Sequence, residues 1–201
     1  MERETKKKDK TVIGITGGVG SGKSRILEIL KNDYGADIIL ADDTAKELME
    51  PGKPGLAKVV EALGDSFIRG DGSVDRAALA ELIFRDHKAR KTVNDIIHPM
   101  AWAAIEEKIQ RSSSLLVIME TAIVEEKMHD ICQEIWYVYT SRENRIQRLM
   151  ENRGYTRQKC EAIMDSQWSD SQFRSVCQRQ IDNNGSIEET RNQIREIIKE
   201  L

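Results

Sequence analysis

Between Val12 and Ser24 the chain passes from an apolar run, Val12-Ile13-Gly14-Ile15-Thr16, straight into Gly17-Gly18-Val19-Gly20-Ser21-Gly22-Lys23-Ser24. The second stretch spells G-x-x-x-x-G-K-S, a P-loop. It demands a buried strand before it and a helix after it. The turn needs glycine because the backbone must wrap around an anion with its N–H groups inward, through positive φ values that a Cβ would obstruct. Ile26, Leu27, Ile29 and Leu30 then recur along one helical face, as the motif requires. The Lys23 ammonium suits the β- and γ-phosphates of a nucleotide, the Ser24 hydroxyl suits Mg²⁺, and the helix points its positive end at the same anion. A nucleoside triphosphate is the expected ligand, held by Gly18, Val19, Gly20, Ser21, Gly22, Lys23, Ser24 and the adjoining Arg25.

The chain has 201 residues, room for one α/β core with an inserted lobe and not for two catalytic domains. Hydrophobic residues at 39% and charged residues at 32% describe a globular protein. No apolar stretch approaches the ~18 residues of a membrane span. A net charge of −3 gives no field for nucleic acid, and Lys6-Lys7-Lys8 reads as a solvated arm. The first ten residues carry charge without an apolar segment behind them, which points to the cytoplasm. Cys132, Cys160 and Cys177 are odd in number and widely spaced, and the three histidines are scattered, so neither a disulfide framework nor a zinc site is indicated.

Strand-like and helical patterns alternate as in a parallel α/β sheet. Ala36-Asp37-Ile38-Ile39-Leu40 reads as a second buried strand ending at Asp42-Asp43, the strand end at which such sheets place ligands. Leu115–Met119 and Ile135–Tyr139 are continuous apolar runs, as parallel strands covered on both faces should be. The intervening stretch is helical, broken by Pro51-Gly52-Lys53-Pro54-Gly55 and Gly70-Asp71-Gly72-Ser73. Ser73-Val74-Asp75-Arg76 can cap the helix carrying Leu79, Leu82, Ile83 and Phe84, and Pro99 is expected to interrupt a helix just after His98. Arginines 142, 145, 148, 153, 157, 174 and 179 crowd one helical segment, as in a lid that brings cations to a transferring phosphoryl group. Taken singly, each also fits a solvated helix face.

The residues now assembled resemble the dephospho-CoA kinase family almost from end to end. The likeness runs through Ile15–Ser24, Ala41-Asp42-x-x-Ala45-Lys46, Glu50-Pro51-Gly52, Asp71–Arg76, His98-Pro99 and Ile181-Asp182-Asn183-x-Gly185. It implies a P-loop kinase fold, a parallel sheet flanked by helices with an inserted helical substrate lobe and a helical lid. The divisions are a nucleotide-binding core of 11–43, 112–141 and 180–201, an acceptor lobe of 44–111, a lid of 142–179 and a flexible arm of 1–10. It further implies ATP and Mg²⁺ as cofactors and phosphorylation of the ribose 3′-hydroxyl of dephospho-CoA, a small-molecule substrate, by a monomer or weak homo-oligomer.

By the same resemblance Asp42 takes the proton of the acceptor hydroxyl, and Lys46, His98 and Glu125 contact the acceptor. Asp182 and Asn183 lie beside the adenine, and Arg148 and Arg153 are the lid arginines that meet phosphate. A positioned base at the second strand's end is also what phosphoryl transfer to a hydroxyl requires. Asp42 is alternatively a helix N-cap, with Asp43 available for that task, and His98 alternatively a packing residue. Departures from the family pattern stand at Arg25, Leu40, Thr121-Ala122-Ile123 and Asn152. A kinase of nucleosides or sugars, a GTP switch and a nucleotide-binding protein without turnover are the rival readings. The switch is disfavoured by the absence of N-K-x-D.

Overall fold

The computed structural model describes residues 10–201; the arm and its Lys6–Lys8 cluster lie outside the described residues, apart from Lys10. The described chain forms β1 (Thr11–Thr16), α1 (Lys23–Tyr34), β2 (Asp37–Leu40), α2 (Ala41–Leu48), α3 (Pro54–Leu63), α4 (Arg76–Arg85) and α5 (His87–Arg111). There follow β3 (Leu116–Glu120), α6 (Glu126–Ile131), β4 (Glu134–Tyr139), α7 (Arg142–Arg153), α8 (Arg157–Asp165), α9 (Asp170–Val176), β5 (Arg179–Asp182) and α10 (Ile187–Lys199). Two compact units result. One joins the described residues up to Ile39 with Ser112–Leu201; the other is Leu40–Arg111.

In the first unit the apolar runs become a five-stranded sheet of order β2-β3-β1-β4-β5. β1 runs parallel to both β3 and β4, and β4 runs parallel to β5. Ile13, Ile15, Ile118, Trp136 and Val138 are fully buried because helices cover both faces of these strands, which is why the sequence shows unbroken apolar runs. Ile26, Ile29 and Leu30 of α1 and Ile194 of α10 complete this core. α10 is set by a capping box in which Ser186 and Glu189 satisfy each other's backbone N–H. The chain leaves β1 toward β2 and leaves β4 toward β5, so the strand order reverses between β1 and β4. Open α/β sheets bind ligands at such a crevice, beyond the strands' carboxyl ends.

The Leu40–Arg111 unit gathers its helices around Leu56, Val59, Phe67 and Ile97. A single antiparallel bridge, Ile68 to Val74, closes a turn in which Asp71 Oδ1 accepts from Ser73 N–H at 2.9 Å. Asp75 caps α4 by accepting from the N–H groups of Ala77 and Ala78.

Pro99 does not end a helix. α5 continues through it for 25 residues. A proline inside a helix costs about 3 kcal/mol or more through its missing donor and ring clash. Ile97, Ala101, Ile105 and Ile109, spaced four apart, form a buried stripe across the break. Three buried isoleucines at about 2 kcal/mol each offset that cost.

Candidate functional site

The P-loop lies between β1 and α1, at the crevice where the strand order reverses. Gly20 and Gly22 have φ of 77° and 88°, the left-handed region closed to most side chains. Gly22 is also the N-cap of α1 and supplies no side-chain acceptor, so no cap side chain meets the helix's first N–H groups. Its opening residues, Lys23-Ser24-Arg25, include two cations and no acid. Cations at a helix N-terminus oppose the macrodipole, each at about 0.3–1 kcal/mol. A first turn of this composition favours an anion beside it.

Four of the loop's carbonyls turn to protein donors. Gly17 O accepts from Lys23 Nζ at 2.7 Å, Gly18 O from Ser21 N–H at 3.2 Å, and Val19 O from Arg145 Nε at 2.8 Å. Ser21 O receives three: Asn183 Nδ2 at 2.8 Å, Thr140 Oγ1 at 2.9 Å and Arg148 Nη1 at 3.3 Å. No peptide bond in the described chain is cis, so pinning a carbonyl on one side turns the next N–H to the other. The Gly20 and Gly22 N–H groups therefore face away from the donors, toward the concave side of the loop, the arrangement in which backbone N–H groups can receive an anion.

Lys23 is a half-buried cation that also approaches Glu120 Oε1, at the end of β3, to 3.4 Å. Ser24 and Arg25 lie exposed in the first turn of α1. Arg148 sends Nη2 to Asn183 O at 2.7 Å. Burial, and then the nearby Arg25 guanidinium, lower the Arg148 pKa from its usual value. The guanidinium remains charged at any working pH.

Of the sequence-predicted residues, the structure brings Gly18–Arg25, Arg148, Asp182 and Asn183 together around the loop. The Asn183 side chain turns toward the protein, its Nδ2 on Ser21 O and its Oδ1 receiving Thr190 Oγ1 at 3.2 Å. Asp182 closes a turn by accepting from Asn184 N–H at 2.9 Å, and Asn184 Oδ1 in turn accepts from Ser141 N–H, fastening this loop to the start of α7. Arg153 is exposed in the last turn of α7. Glu125 is half-buried at the N-cap of α6.

Asp42, Lys46 and His98 belong to the Leu40–Arg111 unit. Asp42 is exposed in the first turn of α2, whose N-cap is Leu40 without a side-chain bond, so neither Asp42 nor Asp43 caps that helix. Lys46 pairs with Asp43 at 2.7 Å, and this bond raises the lysine's pKa. His98 is exposed on α5.

Sequence reasoning missed Thr140, Glu120 and Gln167 as neighbours of the loop. Arg145 it counted among seven arginines without singling it out. Only Glu120 left a trace, as a lone carboxylate ending an apolar run. Among the described residues no cluster of three or more His, Cys, Asp or Glu could hold a metal by itself, and no helix is long and apolar enough to cross a membrane.

A family model for dephospho-CoA kinase matches residues 11–189. The chain belongs to the dephospho-CoA kinase family. A dephospho-CoA kinase from Carboxydothermus hydrogenoformans is 35% identical over 192 residues, covering 94% of this chain and 93% of that one. The crystal structure of TT1252 from Thermus thermophilus superposes with a TM-score of 0.81 at 27% identity, covering 96% of this chain and 99% of that one. A dephospho-CoA kinase from Campylobacter jejuni shares the fold, with a TM-score of 0.69 at 22% identity over 95% of this chain and 96% of its own. Family membership fixes the class of chemistry as phosphoryl transfer by a kinase, and the P-loop is where a dephospho-CoA kinase would hold its nucleotide.

Proposed function

We propose that the protein transfers the γ-phosphoryl group of ATP to the ribose 3′-hydroxyl of dephospho-CoA, giving coenzyme A and ADP, the final step of coenzyme A synthesis. The observation that carries the reading is the P-loop with every pinned carbonyl behind it and a cationic first helical turn, in a chain whose family model spans residues 11–189. Gly18 to Arg25 cradle the phosphates. Lys23 neutralises charge on the transferring group, leaving Gly17 O and Glu120 when phosphate arrives.

Ser24 and Glu120 offer a hydroxyl and a carboxylate at one end of the loop, hard oxygen ligands of the kind Mg²⁺ accepts alongside phosphate oxygens and water. When bound, Mg²⁺ would supply charge neutralisation across the phosphates. Asp42, an exposed carboxylate in the first turn of α2, is the base for the acceptor hydroxyl, with Lys46, His98 and Glu125 as acceptor contacts; the family resemblance supports these roles. Arg148 and Arg153 are the arginines of the 142–179 cover, the first already docked on the loop and the second free of the α7 core. The three free cysteines suit a reducing compartment such as the cytoplasm.

Purified protein with Mg²⁺ and ATP is expected to phosphorylate dephospho-CoA far better than adenosine, AMP or simple sugars. The test is ³¹P NMR of the products. Another acceptor phosphorylated, with no 3′-phosphate on dephospho-CoA, overturns the reading.

A further inference from the structure

Val19 is held at every group it possesses. Its N–H donates to Gln167 Oε1 at 2.9 Å, and its C=O accepts from Arg145 Nε at 2.8 Å. Its side chain packs against the apolar cluster of Ile146, Leu149, Cys160 and Met164 from α7 and α8. Arg145 Nη2 donates to the same Gln167 oxygen at 3.0 Å, closing a ring of three hydrogen bonds around one residue of the phosphate loop. The ring is tight. A Cβ placed on Gly18 would strike the Arg145 guanidinium and the Gln167 amide.

Both clamping residues are themselves fixed. Gln167 sits in the corner between α8 and α9, where its N–H bonds Met164 O at 3.1 Å, and two residues later Ser169 opens α9 with a complete capping box. Arg145 is buried, and burial lowers its pKa while the Tyr137 phenol and the Asp170 carboxylate oppose that shift. Tyr137 donates to Asp170 at 2.6 Å, so the acid near Arg145 is anchored to β4.

We propose that Gln167 and Arg145 are positioning residues for the phosphate donor. By clamping the peptide groups on both sides of Val19 they hold the Gly20 N–H toward the phosphates before the donor binds. They also make the phosphate loop order together with the α7–α9 segment. The inference rests on the reading of the P-loop as the donor site. In this ring Gln167 works only as an acceptor. Glutamate, with the same reach and two acceptor oxygens, replaces it; methionine, with the same length and no oxygen, does not.

The experiment compares Gln167→Met, Gln167→Glu and Arg145→Gln with the unaltered protein. It measures ATP affinity by calorimetry, KM for each substrate and the unfolding midpoint. Gln167→Met should weaken ATP binding about tenfold, the size of one or two lost hydrogen bonds. Its KM for the acceptor and its midpoint should stay close to those of the parent. Gln167→Glu should recover most of the loss, and Arg145→Gln should reproduce it. Unchanged ATP affinity in Gln167→Met overturns the proposal, as does a glutamate variant no better than the methionine one. A loss shared equally by ATP affinity, acceptor KM and midpoint shows a merely structural role and also overturns it. Calorimetry needs no acceptor, so a parent protein that binds ATP yet leaves dephospho-CoA untouched would sink the functional reading and leave the clamp standing.

Discussion

Asn183 donates its side-chain amide to the carbonyl of Ser21 at 2.8 Å, a bond between residues 162 apart in sequence. Through it the end of the sheet's last strand sets the direction of a peptide group in the loop after the first. The side chain is buried, so its loss cannot be made good by water.

Asn183→Asp should therefore be worse than Asn183→Ala. The aspartate would aim a charged acceptor at the Ser21 carbonyl, whereas alanine removes the donor to Ser21 and the acceptor for Thr190 but leaves Thr140 and Arg148 on Ser21 O and Ser186 O for the Thr190 hydroxyl. Expected losses are about 1–3 kcal/mol of stability for alanine and more for aspartate. Denaturant unfolding with ATP calorimetry on both variants checks the order, and the reverse order would remove Asn183 as a donor.

Lys23→Ala should lower kcat by about 10²–10³, the usual effect of deleting one preorganised charge donor. Steady-state rates at saturating ATP decide, and near-normal turnover of Lys23→Ala contradicts the assignment.

Asp42→Asn should keep ATP affinity while kcat falls by about 10²–10⁴, the worth of a general base. Its exposed place in the first turn of α2, without a capping bond, means the folded state should tolerate the change. Normal turnover would return the carboxylate to the surface.

Pro99→Ala should raise the unfolding midpoint by a few degrees, because α5 already runs through the proline and alanine restores the missing donor. Thermal unfolding followed by circular dichroism tests it. A lowered midpoint would mean the ring packs better than the helix bond it displaces.

Burial pushes the Cys132 and Cys177 thiols up to about 12. A raised folded-state pKa means stability is fully present below the unfolded thiol value and is lost as pH rises toward the folded one. Unfolding midpoints should accordingly fall between about pH 9 and pH 12. Cys132→Ala should flatten that slope, and both thiols should react slowly with a disulfide reagent at pH 8. Rapid modification of the native protein at pH 8 would refute the burial argument.

The sheet was legible because unbroken apolar runs such as Ile135–Tyr139 have few explanations besides strands covered on both faces. The P-loop was legible because its glycines and lysine are adjacent in sequence. Pro99 misled because local propensity was weighed without the buried stripe that outweighs it. Gln167 was invisible for a different reason. A glutamine in Asp165-Ser166-Gln167-Trp168 carries no periodicity or charge, and its meaning comes only from Val19, 148 residues away. Arg145 and Arg157 looked equivalent in sequence, yet one is buried on the loop while the other pairs with Glu143 on the surface.

The scaffolding behind the P-loop has a consequence for how the chain is made. The motif itself is complete at Ser24, but Thr140, Arg145, Arg148, Gln167 and Asn183 are the groups that give it its curvature. Long-range closure of this kind is slow, and a growing polypeptide emerges from its N-terminal side first. A nascent chain ending before Gln167 would already display every letter of the motif while lacking the Gln167 and Asn183 bonds that hold it. The nucleotide grip should arrive late and abruptly, once the strand preceding Asn183 has joined the sheet.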